Sequence, residues 1–216
     1  MIEVFSGISL FDGVAEVDLE HLVALATVRS YPKNTLIVSE GERADTLYLI
    51  LSGRVKVFVG DEDGRRVVLA TQRAGEYFGE MSLDEGVRSA SVMALEPCEL
   101  GLLQRAHLRD FLGHHPDAAL AVINNLIRRT RSLTHRIRDL SLLDAYGRLA
   151  KLLVSLATVE AGRLIVSEPL TQKEIGERIG ASREMVSRIF KDLKAGGYIE
   201  NEGRRLLILR RLPRAR

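Results

Sequence analysis

From Thr35 to Leu103 the chain repeats short runs of β-branched and aliphatic residues broken by turn formers. TLIV, LYLIL, RVKVFVG, RRVVLATQ, SASVMALE and CELGLL are separated by Gly41, Gly53, the Asp61–Gly64 turn and Gly75. Branched side chains pack well on a pleated surface, and glycine tolerates the backbone of tight turns. Such strands, with no helical pattern between them, predict an antiparallel sandwich or barrel, here a jelly roll. A parallel α/β sheet would need crossover helices between its strands. Ahead of the strands, Asp18 is placed to cap a short helix over Leu19–Val28, with Leu22, Leu25 and Ala26 at helical spacing.

The period changes at Pro116, which opens a long helix to about Leu143. Ala119, Ile123, Leu126, Thr130, Leu133, Ile137 and Leu140 advance in steps of four and three, flanked by Arg128, Arg129, Arg131, Arg136 and Arg138. A narrow apolar seam with polar flanks predicts a two-stranded coiled coil, and so a homodimer through residues 116–143. Packing of the helix on its own domain is the alternative. Next, Asp144 caps a helix over Ala145–Glu160 that Gly162 closes, and RLIVSEP reads as a strand. Thr171-x-x-Glu174 is a capping box for a helix to Ile179, with Gly180 at the turn. Ser182 caps a second helix through about Ala195, ended by Gly196–Gly197, and YIE and RRLLIL form a hairpin around Asn201–Gly203. Helix, glycine turn, helix and hairpin make a winged helix-turn-helix. The fold class is therefore α+β in three segments: a β jelly roll over 1–115, a dimerisation helix and hinge over 116–143, and a winged helix-turn-helix over 144–216.

At 216 residues the chain can bury a core in one or two domains, and 46% hydrophobic with 28% charged residues is ordinary globular composition. No apolar run approaches the roughly 18 residues of a membrane span. The start, MIEVFSGISLF, lacks the basic region and small-residue cleavage site of a signal peptide. Cys98, alone of its kind, excludes an internal disulfide and a multi-cysteine metal cluster. A cytoplasmic protein with no membrane partner is expected. The net charge of +2 conceals a split: 11 Lys/Arg against 18 Asp/Glu in residues 1–113, and 20 against 11 in residues 114–216. The basic back half points to a polyanion there, although a solvated helical surface gives the same asymmetry.

Two stretches carry candidate chemistry. FGEMSLDEGVRSASV, from Phe78 to Val92, reads as strand–turn–strand. Gly79 lets backbone N–H groups approach an anion, Arg88 offers a planar fork to phosphate oxygens, Ser89 adds a hydroxyl, and Glu80 can accept from sugar hydroxyls. Strands that merely alternate charged and small residues look similar. In SREMVSRIFKDLKAGG the apolar face is Met185 or Val186, Ile189, Phe190 and Leu193, which leaves Arg183, Glu184, Ser187, Arg188 and Lys191 outside. Arginine can pair with guanine O6/N7 and glutamate can accept from cytosine N4, whereas a solvated helix face would carry the same residues.

FGE-x-S-L followed by RSA resembles the phosphate-binding cassette of the cyclic-nucleotide-binding domain, as in the cyclic-AMP receptor protein family of transcription regulators within the Crp/Fnr superfamily. The resemblance implies that Arg88 and Ser89 hold the phosphate, Gly79 makes a backbone contact, and Glu80 takes the ribose 2′-hydroxyl. Met81 and Ser82 belong to the same ligand-binding set. The turn Asp84–Val87 is shorter than in common family versions. LTQKEIGERIGASREMVSRIFKDL resembles the helix-turn-helix of that family. It implies that Arg183 and Arg188 read guanines and Glu184 a cytosine in a TGTGA-type inverted repeat. Thr171, Gln172, Ser182, Ser187 and Lys191 complete the implied DNA-binding face. Met185 stands where the best-known member has a threonine, and Lys191, Lys173 and the wing residues Arg204 and Arg205 are candidates for phosphate contact. The motifs follow the family order of sensor, dimer helix and reader.

In the family, two hydroxyl residues on the dimer helix approach the adenine. Aligned through DxxGRLA, here Asp144–Ala150, they fall on Leu133 and Thr134, of which only Thr134 keeps a hydroxyl. The resemblance thus implies cyclic AMP as allosteric ligand, double-stranded DNA and RNA polymerase as partners, no metal or prosthetic cofactor, and no enzymatic activity. Cyclic GMP, a cyclic dinucleotide, or activity without ligand stay open. An iron–sulfur sensor would need several cysteines. A haem sensor would need an axial histidine in the cassette region, but His21, His107, His114, His115 and His135 lie outside it. A metal-dependent phosphodiesterase would need an HxxxH or HExxH pair, and neither occurs.

Overall fold

The computed structural model describes residues 2–203 and 205–213, so Arg204 of the wing lies outside the described residues. The chain divides into two compact units, one of residues 1–59 and 68–130, the other of residues 60–67 and 131–216.

The first unit holds the jelly roll. One sheet has the order β1 (Thr27–Tyr31), β8 (Cys98–Gln104), β3 (Thr46–Ser52), β6 (Tyr77–Phe78). The other has the order β2 (Leu36–Val38), β7 (Ser91–Ala94), β4 (Arg54–Gly60), β5 (Arg66–Arg73). The pairs β1·β8, β3·β8, β3·β6, β2·β7 and β4·β7 are antiparallel. The continuous apolar run of β3 follows from burial on both faces. Leu47 and Leu49 join Phe5, Phe11, Leu19, Leu22, Leu108 and Phe111 under the helices. Ile50 and Tyr48 face the other way, into a cluster with Val38, Val55, Phe78, Val92 and Leu100 between the sheets. On β8, a side chain at Gly101 would come within 3.0 Å of the Phe5 ring, so the glycine lets that fully buried phenylalanine of α1 (Ile2–Ser6) settle on the sheet.

Three expectations need correction in this unit. Helix α2 spans Glu16–Leu25 with Ala15 at its N-cap, so Asp18 lies in the first turn and caps nothing. There its carboxylate still favours the helix dipole. Val28 belongs to β1, opposite Gly101 of β8, because pairing along the sheet captures the β-branched Thr27–Val28. The cassette is not strand–turn–strand either: a 3-10 helix over Glu80–Leu83 follows the two-residue β6.

After α3 (Arg105–His114), helix α4 runs from Pro116 to Leu142. Ala118 and Val122 are buried on the first unit, whereas Ile123, Leu126, Ile127, Leu133, Ile137 and Leu140 are 39% to 65% exposed. The stripe that packs at home and the heptad seam are thus different faces of one helix.

In the second unit, α5 spans Ala145–Leu156, and Asp144 caps it by accepting from the Gly147 N–H at 2.7 Å. It ends four residues before the expected Glu160, where β9 (Thr158–Glu160) turns back into β10 (Arg163–Val166). Gly162 therefore closes a hairpin, not a helix. The sheet order is β11 (Ile199–Glu202), β12 (Arg205–Ile208), β10, β9. Helices α6 (Gln172–Ile179) and α7 (Arg183–Ala195) pack on it through Ile175, Ile179, Val186, Ile189 and Leu193, with Leu149 and Leu153 from α5.

Candidate functional site

The cassette turns at Gly79, whose φ of 85° is left-handed. A Cβ there would fall 2.7 Å from Arg88 Nη1 and 2.9 Å from the Thr46 carbonyl oxygen, so only glycine lets the arginine lie against this backbone. The main chain of Arg88 is fixed on both sides: its N–H donates to Glu42 O at 2.7 Å and its carbonyl accepts from Gly41 N at 2.9 Å. The residue is 7% exposed, and its guanidinium donates through Nη2 to Thr46 O at 2.8 Å and stands 5.5 Å from the Tyr48 ring centroid. Ser82 is fully buried. Ser89 is exposed and its hydroxyl donates to the sulfur of Met81, itself 53% exposed, at 3.1 Å. Glu80 is 7% exposed.

Three buried polar atoms of this cassette have no protein partner: Arg88 Nη1, Ser82 Oγ and Glu80 Oε2. Structures rarely leave such groups unpaired. Together they make a cationic donor, a hydroxyl and a carboxylate acceptor within one short segment.

Sequence reasoning missed Arg129, which it placed among the polar flanks of the seam. Its Nη1 donates to Glu80 Oε1 at 2.6 Å and its Nη2 to Tyr77 O at 2.8 Å. The signal was its phase: Ala118, Val122, Asn125 and Arg129 share the stripe of α4 that faces its own domain. Burial and then the Glu80 carboxylate push the Tyr77 hydroxyl up to about 12, so this ring stays neutral beside the pair. Leu133 and Thr134 are exposed on the part of α4 that belongs to the second unit.

In that unit the helix-turn-helix is locally determined. Thr171 Oγ1 accepts from Glu174 N at 3.2 Å while the Glu174 carboxylate accepts from Thr171 N at 2.7 Å. Gly180, left-handed at φ 65°, ends α6, and Ser182 Oγ accepts from Met185 N at 3.1 Å to start α7. Arg148 of α5 donates to the carbonyls of Leu143 and Ile179, each at 2.7 Å, which ties the residue before the Asp144 cap to the end of α6. Arg183, Glu184, Ser187, Arg188 and Lys191 are all exposed on α7, with Thr171 and Ser182 exposed at the two caps and Gln172 half-buried. Arg188 Nη2 lies 2.9 Å from Met185 Sδ. Arg205 is engaged by Glu160 of the β9–β10 hairpin, which limits it as a phosphate contact. His115 is the C-cap of α3 and stacks on Phe111 at 4.3 Å, while His114 is an exposed helix-end residue bonded to Asp110 O at 2.9 Å.

Among the described residues no group of three or more His, Cys, Asp or Glu could hold a metal ion, and no helix is long and apolar enough to cross a membrane. Residues 28–115 match the family model of the cyclic nucleotide-binding domain, and residues 147–214 that of the Crp-like helix-turn-helix domain. The chain is 33% identical over 213 residues to the CRP-like cAMP-activated global transcriptional regulator of Mycobacterium tuberculosis, covering 96% of this chain and 95% of the relative. It is 32% identical over 198 residues to the cAMP-activated global transcriptional regulator CRP of Pasteurella multocida, covering 88% and 93%. Among solved structures, the c-di-GMP responsive global regulator CLP of Xanthomonas campestris superposes with a TM-score of 0.79 at 25% identity, over 90% of this chain and 99% of that one. The catabolite activator protein of Thermus thermophilus gives 0.56 at 31% identity, over 93% of each chain.

Proposed function

The chain belongs to the Crp/Fnr family of DNA-binding transcription regulators, and we propose that it is a homodimer switched by cyclic AMP and directed to a TGTGA-type palindrome. Residues 1–115 are the sensor, 116–143 the dimer helix and hinge, and 144–216 the reader.

One observation carries the nucleotide half of this reading: the unpartnered trio of Arg88 Nη1, Ser82 Oγ and Glu80 Oε2. These atoms complement a ribose cyclic phosphate, with the guanidinium and hydroxyl for phosphate oxygens and the carboxylate for the 2′-hydroxyl. Ser89 adds a second hydroxyl, and Gly79 brings bare backbone to the anion. The relatives described as cAMP-activated, and the hydroxyl kept at Thr134, support cyclic AMP as the base-bearing ligand. Ligand binding shifts the population of hinge arrangements near Leu140–Asp144. In the favoured arrangement the two α7 helices stand about 34 Å apart, one turn of DNA. RNA polymerase is the protein partner, in the cytoplasm.

Isothermal titration of the full chain with cyclic AMP, cyclic GMP and cyclic di-GMP tests the ligand. Cyclic AMP is expected to bind tightest and to change affinity for the palindrome. Absence of binding by all three overturns the nucleotide reading. A second reading, a cyclic dinucleotide, is favoured by the hydroxyl missing at Leu133 and by the described responsiveness of the Xanthomonas campestris regulator. Tightest binding of cyclic di-GMP would establish it instead.

A further inference from the structure

We propose that Met185 is a positioning residue for base recognition: its thioether holds the Arg188 guanidinium toward the front of α7 and so sharpens the base pair that this arginine selects. The inference rests on the reading of α7 as the helix that enters the DNA groove.

The thioether is itself fixed. The Met185 N–H is bonded to the Ser182 cap at 3.1 Å, and its half-buried side chain packs against the core of the reader with Val186 and Ile189. From that anchored position Sδ meets Arg188 Nη2 at 2.9 Å, three residues further along the helix. Side chains on a helix lean toward its N-terminus, so the contact draws Arg188 to the end of α7 that faces base edges in helix-turn-helix docking. A free arginine would spread over many rotamers, and some of that freedom is removed before DNA arrives.

The chemistry of sulfur suits this role. A thioether is a weak neutral acceptor. It takes one N–H without neutralising the guanidinium, and leaves the other donors for guanine O6 and N7. A carboxylate in its place would compete with the nucleic acid. Among the described residues Arg188 makes no ion pair, so the sulfur is what orients its head.

The test uses the full chain with cyclic AMP present and selects duplexes from a randomised pool with the parent, Met185→Leu, Met185→Gln and Arg188→Ala. Leucine keeps the volume and the packing but removes the acceptor. Glutamine returns an acceptor, its amide carbonyl, at comparable reach. Arg188→Ala identifies the base pair that Arg188 selects. At that pair Met185→Leu is expected to lower the preference ratio about three- to tenfold, the scale of one weak hydrogen bond. Affinity for random duplex and its salt dependence should not change, and Met185→Gln should recover most of the ratio. An unchanged ratio in Met185→Leu overturns the proposal, as does an equal loss on selected and random DNA. If Arg188→Ala itself leaves every base preference intact, the failure lies with base reading by Arg188, and both readings go.

Discussion

Arg129 donates through Nη1 to Glu80 Oε1 at 2.6 Å and through Nη2 to the Tyr77 carbonyl at 2.8 Å, so the long helix is tied to the first residue of the 3-10 turn in the cassette. The carboxylate is 7% exposed and the guanidinium about one-third exposed, so the pair sits at the edge of the core rather than in open solvent. It sets one Glu80 oxygen in place and leaves the other, Oε2, buried without a protein partner.

Arg129→Ala leaves the Glu80 carboxylate buried and unpaired. Breaking such a pair costs about 2–4 kcal/mol of stability, somewhat below a fully buried case because water reaches the arginine. Glu80→Gln should cost less, and the double variant less than the sum of the two. Chemical denaturation of the four proteins measures the cycle, and strictly additive losses would show that the two side chains are not coupled.

Arg88→Ala should weaken cyclic AMP binding by on the order of 2–4 kcal/mol, because a buried phosphate loses its charge-assisted partner. The same change removes the bond to Thr46 O and the contact with the Tyr48 ring, so a stability loss of about 1 kcal/mol is expected beside it. Titration calorimetry at a temperature well below unfolding separates the two effects. Near-parental affinity would remove the phosphate assignment.

Much of the architecture could be read from the sequence because local signals were strong. Two capping residues, Thr171 and Ser182, and the left-handed Gly180 mark the helix-turn-helix almost residue by residue, and the structure uses all three as expected. The misreadings arose where tertiary pairing decides. Val28 looks helical by spacing but pairs with β8, and residues 157–160 leave α5 for a hairpin with β10. The 3-10 turn at Glu80–Leu83 is too short to leave a period in the sequence. Arg129 was overlooked for a different reason. Five arginines flank the seam, and only the position of the home-domain stripe marks Arg129 as the one whose guanidinium reaches Glu80 and the Tyr77 carbonyl.

Leu133→Thr returns a hydroxyl to the position aligned with an adenine contact. Discrimination of cyclic AMP from cyclic GMP should improve by up to about tenfold, the value of one neutral hydrogen bond. Leu133 is 45% exposed in the single chain, so the fold of the monomer should be indifferent to the change. Competition binding gives the ratio, and sedimentation confirms that the variant stays dimeric. A fixed ratio in a dimeric variant would mean that the base lies elsewhere.

Ile137 is 65% exposed on the heptad seam, one step before its last residue Leu140. Ile137→Glu places like charges opposite each other in a parallel coiled coil and should shift the protein to monomer at micromolar concentration, with its thermal unfolding as a monomer little changed. Analytical ultracentrifugation of parent and variant reads this directly. A variant that remains fully dimeric would place the interface on another face of α4.

Base reading and backbone binding should separate along α7. Arg183 and Glu184 stand exposed in its first turn, directly after the Ser182 cap, whereas Lys191 lies two turns further on. Side chains at the front of a recognition helix reach base edges, and a lysine far along it reaches phosphates. Arg183→Ala and Glu184→Ala should each lose about 1–3 kcal/mol on a TGTGA-type palindrome and little on unrelated DNA. Lys191→Ala should weaken both roughly alike and reduce the salt slope by about one released counterion. Gel-shift titrations at two salt concentrations distinguish the patterns. Equal losses for Arg183→Ala on specific and unrelated duplexes would show that this end of α7 touches only the backbone, and the TGTGA assignment would fall with it.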